Sequence, residues 1–184
     1  MKLVVITGCL GFIGSHVTAA CLKRGWRVYG IDKQTYASIE YMRFLERMPS
    51  VSNFTFHAAD ICDLKDLPDC DYIINNVTGV KNLLDIIRRK PSNIATKPIF
   101  FHFSTDEVYG DIIEGSHDEE SLLSPSNPYS ASKAAADMLI KAWARTYGMD
   151  YLILRPTNNY GIDQYPEKLI PLVVKHLERG IKIR

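Results

Sequence analysis

Residues 3–14 read Leu3-Val4-Val5-Ile6-Thr7-Gly8-Cys9-Leu10-Gly11-Phe12-Ile13-Gly14. The apolar, largely β-branched run predicts a buried strand over 3–7. The glycines at 8, 11 and 14 predict a turn, and Ile13 to Lys23 a helix that stops at Gly25. Glycine spacing alone says little. A strand before it and a helix after it are the context in which such a loop receives a phosphate group. Gly8 permits the tight turn, Gly11 leaves the helix N-terminus open to a pyrophosphate, and Gly14 lets helix and strand approach closely. The spacing GxxGxxG differs from GxGxxG by one residue.

Outward from this loop, Trp26 to Ile31 reads as a second strand that ends on Asp32, 18 residues beyond Gly14. A carboxylate there can accept both hydroxyls of an adenosine ribose and would repel a ribose phosphate, which favours NAD over NADP. Lys33, one residue on, works against that preference, since a lysine can partner a phosphate. Further strands are predicted over 54–57, 72–74, 99–103 and 151–154. Helices are predicted over 39–47, 80–89, 129–147 and 167–179, the last with Gly180 as its stop. Short apolar strands alternating with longer helices predict an α/β fold of Rossmann type, a doubly wound parallel sheet with helices on both faces. Residues 1–160 form the dinucleotide-binding unit. Residues 161–184 begin a substrate-binding region whose cap is largely absent from the chain. Ile181-Lys182-Ile183-Arg184 reads as the opening of another strand, and Asn75-Asn76 leaves almost no loop after the fourth strand.

The 184 residues can bury one sizeable core, and 46% of them are hydrophobic and 23% charged. A net charge of +1 gives no footprint for nucleic acid. No apolar run reaches the roughly 18 residues of a membrane span. The apolar start is broken by Gly8 too early for a secretory leader. Cys9, Cys21, Cys62 and Cys70 have no metal or redox spacing, so no metal is expected. They read as free thiols in a reducing compartment, the cytoplasm.

The chemistry sits in two further stretches. Ser104-Thr105-Asp106-Glu107-Val108-Tyr109-Gly110 follows the fifth strand, at the end of a parallel sheet where chemistry is placed. Tyr129 and Lys133 lie one helical turn apart on one face. A lysine ammonium beside a phenol lowers its pKa. The phenolate can then take a proton from a hydroxyl as hydride leaves the same carbon, with Thr105 hydrogen-bonded to that hydroxyl. Asp106 and Glu107 add an acid and a base: one helps a hydroxyl depart, the other takes a proton beside a ketone. That pair points past simple oxidation toward loss of water from a sugar.

Five motifs together resemble a known family: Thr-Gly-x-x-Gly-Phe-Ile-Gly at 7–14, Ser-Thr-Asp-Glu-Val-Tyr-Gly at 104–110, Pro-Tyr-Ser-Ala-Ser-Lys at 128–133, Asn-Asn-Tyr-Gly at 158–161 and Pro-Glu-Lys-Leu-Ile-Pro at 166–171. The chain is similar over nearly its whole length to the nucleotide-sugar 4,6-dehydratases, the dTDP-glucose 4,6-dehydratases above all, within the extended short-chain dehydrogenase/reductases. The resemblance implies that Gly8, Leu10, Gly11, Phe12, Ile13 and Gly14 form the NAD loop. Asp32 would hold the adenosine ribose, and Asp60 and Ile61 the adenine. Thr105, Tyr129 and Lys133 match the redox triad, with Tyr129 and Lys133 also touching the cofactor. Asp106 matches the acid at the leaving hydroxyl, and Glu107 the base at carbon 5. Asn159 matches a substrate phosphate contact, and Glu167, Lys168 and Leu169 a segment lining the sugar-nucleotide pocket. Two departures stand out. About twenty residues expected before Asn76 are missing, including an Ala-Ala-Glu-x-His-Val run beside the cofactor, and the family continues past Arg184.

The expected activity is an NAD-dependent dehydration of a dTDP- or UDP-linked hexose to a 4-keto-6-deoxy sugar. A UDP-sugar 4-epimerase or decarboxylase needs no acid/base pair for the hydroxyl on carbon 6, so Asp106-Glu107 argues against it. A non-catalytic NAD-binding protein is the alternative of another class. A homodimer is expected through helices 80–89 and 129–147, where Ala134, Ala135, Leu139, Ala142 and Trp143 suit close helix packing.

Overall fold

Strand β1 (Leu3–Thr7) lies at the centre of the sheet. Its consecutive apolar residues serve two cores at once, because alternate side chains leave opposite faces of a strand. Val4 and Ile6 point into one cluster with Val28, Leu22 and Phe44. Val5 points into the other with Ile31, Ile73 and Phe100.

The computed structural model describes residues 1–75, 79–90 and 97–182. After β1 come α1 (Phe12–Lys23), β2 (Arg27–Asp32), α2 (Tyr41–Glu46), β3 (Phe54–Ala58) and β4 (Tyr72–Asn75). Then follow α3 (Val80–Arg89), β5 (Ile99–Phe103), a 3-10 turn (Asp106–Tyr109), α4 (Pro128–Tyr147), β6 (Tyr151–Leu154) and α5 (Leu169–Glu178). Among the described residues all five strand pairings are parallel, in the order β3-β2-β1-β4-β5-β6. The chain therefore winds out from β1 in one direction and then, from β4, in the other. The crevice at that reversal, outside the carboxyl ends of the strands, is where such sheets bind ligands. Helices α1 and α2 contribute to the core on one face, α3 and α4 to the core on the other.

The strands and helices expected up to residue 179 are present, with differences at their ends, whereas Ile181 and Lys182 form no strand. Helix α2 starts at Tyr41 rather than 39, because the Glu40 carboxylate accepts from the Met42 and Arg43 amides and caps the helix there. Helix α4 starts one residue early, at Pro128, behind a capping box of Asn127 and Ser130. Helix α5 starts at Leu169 instead of 167, with Lys168 at its N-cap. The tight link expected at 75–76 and the end of the strand expected over 181–184 lie outside the described residues.

Candidate active site

The carboxyl ends of β1, β2, β3 and β5 open on one cleft of about 530 Å³. The glycine loop forms its floor. The Gly8 amide donates to the Ile31 carbonyl at 2.8 Å and the Gly11 amide to the Gly8 carbonyl at 3.0 Å, which folds the turn back on itself. Gly8 has a φ of +66°, a conformation that favours glycine. A Cβ on Gly14 would collide with the Gly8 carbonyl, so the close approach of α1 to β1 requires glycine. The N-cap of α1 is Gly11, with no side-chain cap and no acidic residue in the first turn. A helix N-terminus without a side-chain cap, facing a cleft, fits a phosphate group.

Asp32 lines the cleft and is 7% exposed. Its Oδ2 accepts from the Leu10 amide at 3.0 Å, and its Oδ1 from the Gln34 amide at 2.8 Å and the Ser38 hydroxyl at 3.1 Å. It thus ties the glycine loop to the segment after β2. Lys33 does not stand free to meet a phosphate. Its ammonium pairs with Asp60 at 3.1 Å, and the Cys62 amide together with Lys33 holds the Asp60 carboxyl below the usual range.

At the other end of the cleft, Thr105 caps the 3-10 turn by accepting from the Glu107 amide at 3.3 Å, and it donates to Asp106 Oδ1 at 3.2 Å. Glu107 Oε2 accepts from the Asn127 side-chain amide at 3.1 Å. Tyr129, the second residue of α4, is 57% exposed and lines the cleft beside Glu107 and Thr105. Lys133 lies one turn inward, buried, and donates to the Phe103 carbonyl.

The electrostatics here depart from the sequence expectation. Burial and the neighbouring Glu107 carboxylate push the Tyr129 phenol up rather than down. Lys133 is not among the causes of that shift, and its ammonium donates to the Phe103 carbonyl. Burial brings the lysine below its ordinary value, with Asp137 opposing that effect.

The cleft therefore gathers Gly8, Gly11, Phe12, Ile13, Asp32, Asp60 and Ile61 at one end and Thr105, Glu107 and Tyr129 at the other, with Asn159 and Lys168 along its side. Leu10, Gly14 and Lys133 are buried behind its wall. Asp106 faces a neighbouring cleft that shares Glu107 and Asn158 with the first. Glu167 and Leu169 are exposed and line neither cleft. Thr35, Ser38, Thr157, Gln164 and Tyr165, which the sequence motifs did not single out, also line the first cleft. Asn127 was missed as well, although the Asn-Pro before a long helix is a legible cap signal. Among the described residues, no group of three His, Cys, Asp or Glu side chains could hold a metal ion, and no helix is long and apolar enough to cross a membrane.

The chain is 36% identical over 211 aligned positions to the dTDP-glucose 4,6-dehydratase of Streptomyces niveus, covering 98% of this chain and 60% of that enzyme. More aligned positions than residues means that the relative carries stretches this chain lacks. Among solved structures it is similar, at a TM-score of 0.86 and 32% identity, to dTDP-glucose 4,6-dehydratase from Bacillus anthracis in complex with NAD, covering 98% of this chain and 62% of that one. It is also similar, at a TM-score of 0.83 and 25% identity, to the UDP-glucuronic acid 4-epimerase of Bacillus cereus in complex with UDP-glucuronic acid and NAD, covering 97% of this chain and 64% of that one. The chain thus spans about three-fifths of the length of these relatives. Residues 4–184 match the NAD dependent epimerase/dehydratase family, and the chain belongs to it.

Proposed function

We propose that this chain carries the cofactor-binding and acid/base parts of an NAD-dependent nucleotide-sugar 4,6-dehydratase, with dTDP-glucose as substrate. The observation that carries the reading is the adjacent pair Asp106-Glu107 at the end of β5, with Glu107 in the same cleft as Tyr129 and the glycine loop. NAD suits that cleft: the loop and the bare start of α1 would hold the pyrophosphate, Asp32 the ribose, and Asp60 and Ile61 the adenine. When bound it supplies a hydride acceptor that later returns the hydride. Pairing of Lys33 with Asp60 removes a free cation that a ribose phosphate would need, which supports NAD over NADP.

As the phenolate, which the positive charge of bound NAD would favour against the raised value set by burial and Glu107, Tyr129 takes the proton from the hydroxyl on carbon 4 of the sugar, and Thr105 orients that hydroxyl. The ketone so formed acidifies the proton on carbon 5. Glu107 removes it while Asp106, facing the adjoining cleft, protonates the hydroxyl leaving carbon 6. Asn159 and Lys168 are suited to the nucleotide's phosphates. A 4-epimerase would leave both carboxyls without work. Ala135, Met138 and Ala142 lie exposed on α4 while Ala134 is buried and Leu139 and Trp143 pack on the chain's own core. The exposed three are suited to a homodimer contact that α3 would complete, and the free thiols suit a reducing compartment.

The test is a single-turnover reaction of the full-length protein with dTDP-glucose in deuterated water, with UDP-glucose and UDP-N-acetylglucosamine as competitors for the assignment. Glu107→Gln is expected to keep formation of bound NADH and to lose washout of the proton on carbon 5 by roughly 10²–10⁴-fold. Asp106→Asn should leave the washout and slow the loss of water. Washout at the unaltered rate in Glu107→Gln would remove Glu107 as the base.

A further inference from the structure

We infer that Arg155 is a positioning residue that holds the acid/base carboxyls, Asp106 and Glu107, in register with the redox pair, Tyr129 and Lys133. The roles of those pairs rest on the dehydratase reading; the strut itself rests on geometry.

Asp137 sits four residues after Lys133 on α4, hence on the same inward face, and is fully buried. Arg155 follows β6 directly. Its Nε donates to Asp137 Oδ2 at 3.0 Å and its Nη1 to the Tyr109 hydroxyl at 2.6 Å. The guanidinium carbon also lies 5.0 Å from the centre of the Tyr109 ring. Tyr109 is the last residue of the 3-10 turn that begins with Asp106 and Glu107. One side chain thus spans from the helix of the redox pair to the turn of the carboxyl pair.

The backbone around Arg155 reinforces the same connection. Leu154, before it, accepts from the Ser104 amide at 2.7 Å, and Pro156, after it, accepts from the Asp106 amide at 3.2 Å. The stretch 154–156 is therefore bonded to the 104–106 stretch by main chain on both sides of the arginine. An arginine suits the place, because its rigid fork reaches Asp137 and Tyr109, and the Glu119 carbonyl at 3.4 Å, while keeping its charge. Burial works against that charge, but the hydrogen bonds to Tyr109 and Asp137 outweigh burial and hold the group above its ordinary value. His102 also faces Asp137, with Nε2 3.6 Å from Oδ1, and the Lys133 ammonium acts on the same carboxylate. Burial pushes His102 down to about 3, so the ring is neutral and the charge of Asp137 is met by Arg155 rather than by the histidine.

Replacing Arg155 by an apolar residue would strand the buried Asp137 charge and could simply unfold the protein. Tyr109→Phe is the cleaner probe: it deletes one hydrogen bond and keeps the ring under the guanidinium and stacked on His117. Arg155→Lys is the second probe, keeping the charge but not the fork. In the full-length protein, both are expected to speed hydrogen exchange of the Asp106, Glu107, Val108 and Gly110 amides about tenfold, with the amides of α1 unchanged. In single turnover with dTDP-glucose, washout of the proton on carbon 5 should fall about tenfold while formation of bound NADH stays within about twofold. Unchanged exchange at 106–110 in Tyr109→Phe, or a protection loss shared equally by α1, overturns the strut. An equal fall of both half-reactions overturns the positioning role. Should the wild-type protein turn over none of the sugar nucleotides, the dehydratase reading falls, and the exchange data alone decide the strut.

Discussion

The Asn127 side chain faces two ways: its Oδ1 accepts from the Ser130 amide at 2.9 Å, and its Nδ2 donates to Glu107 Oε2 at 3.1 Å. One residue therefore caps the helix that carries Tyr129 and aims the carboxylate expected to serve as base. Asn127→Asp separates the two tasks. Aspartate caps as well as asparagine, so stability should stay within about 0.5 kcal/mol, but a second carboxylate against Glu107 should lower turnover about tenfold. Asn127→Ala should lose both, with about 1 kcal/mol of stability gone. Urea unfolding beside steady-state turnover checks the split; an Asn127→Asp variant of normal activity would refute it.

The Tyr129 phenol is expected to titrate above its ordinary value of 10 in the ligand-free protein, since burial and Glu107 both disfavour its charge. Glu107→Gln removes one of the two causes and should bring the midpoint down. Carbon NMR of tyrosines labelled at Cζ, with the signal assigned by its disappearance in Tyr129→Phe, follows the titration. A midpoint below 10 in the wild type would show that Lys133 governs the phenol after all.

Gly14 and Gly11 should respond differently to alanine. A Cβ at Gly14 meets backbone that cannot move aside, whereas one at Gly11 stands 3.2 Å from the Gly8 carbonyl. Gly14→Ala should cost about 1–3 kcal/mol, and Gly11→Ala less than about 1 kcal/mol. Gly11→Ala should nevertheless weaken NAD binding, because its methyl intrudes where a pyrophosphate would lie. Calorimetric titration with NAD and thermal unfolding of the two variants separate these outcomes. Equal losses of stability would contradict the packing account.

Acid should destabilise the protein partly through His102. Burial, with the Lys133 charge nearby, holds this histidine down to about 3, against 6.5 when unfolded. Above 6.5 both states are neutral and the contribution is whole. As pH falls through the window from 6.5 to 3, the unfolded chain takes up a proton that the folded one refuses, so stability is lost by at most about 1.4 kcal/mol per pH unit. Between pH 7 and 5 that comes to about 2 kcal/mol. His102→Gln should flatten this part of the profile, as read from urea midpoints at the two pH values. An unchanged slope would mean that other groups carry the acid sensitivity.

The fold was legible because it is written in local periodicity. The run Leu3 to Thr7, the three glycines behind it and Asp32 at the end of the next strand needed no knowledge of distant residues. Each property depends on neighbours within a turn or a strand, and the parallel sheet follows from the alternation of such segments. The close packing reason given for Gly14 and the turn reason given for Gly8 both hold in the structure. The family motifs also carried Glu107 and Tyr129 to the same cleft.

Local pattern therefore carried the order and type of the elements and named candidate groups for the proposed chemistry. Only the tertiary structure decided how those groups are engaged. Lys133 donates to the Phe103 carbonyl, Asp106 turns into the adjoining cleft, and Glu167 and Leu169 stay outside both. Arg155 and Asp137 lie 18 residues apart in the chain, and Arg155 and Tyr109 46. No periodicity links residues across such separations. Their pairing arises because β5 and β6 lie side by side with α4 packed over them, and a buried charge must find a partner wherever the fold brings one within reach.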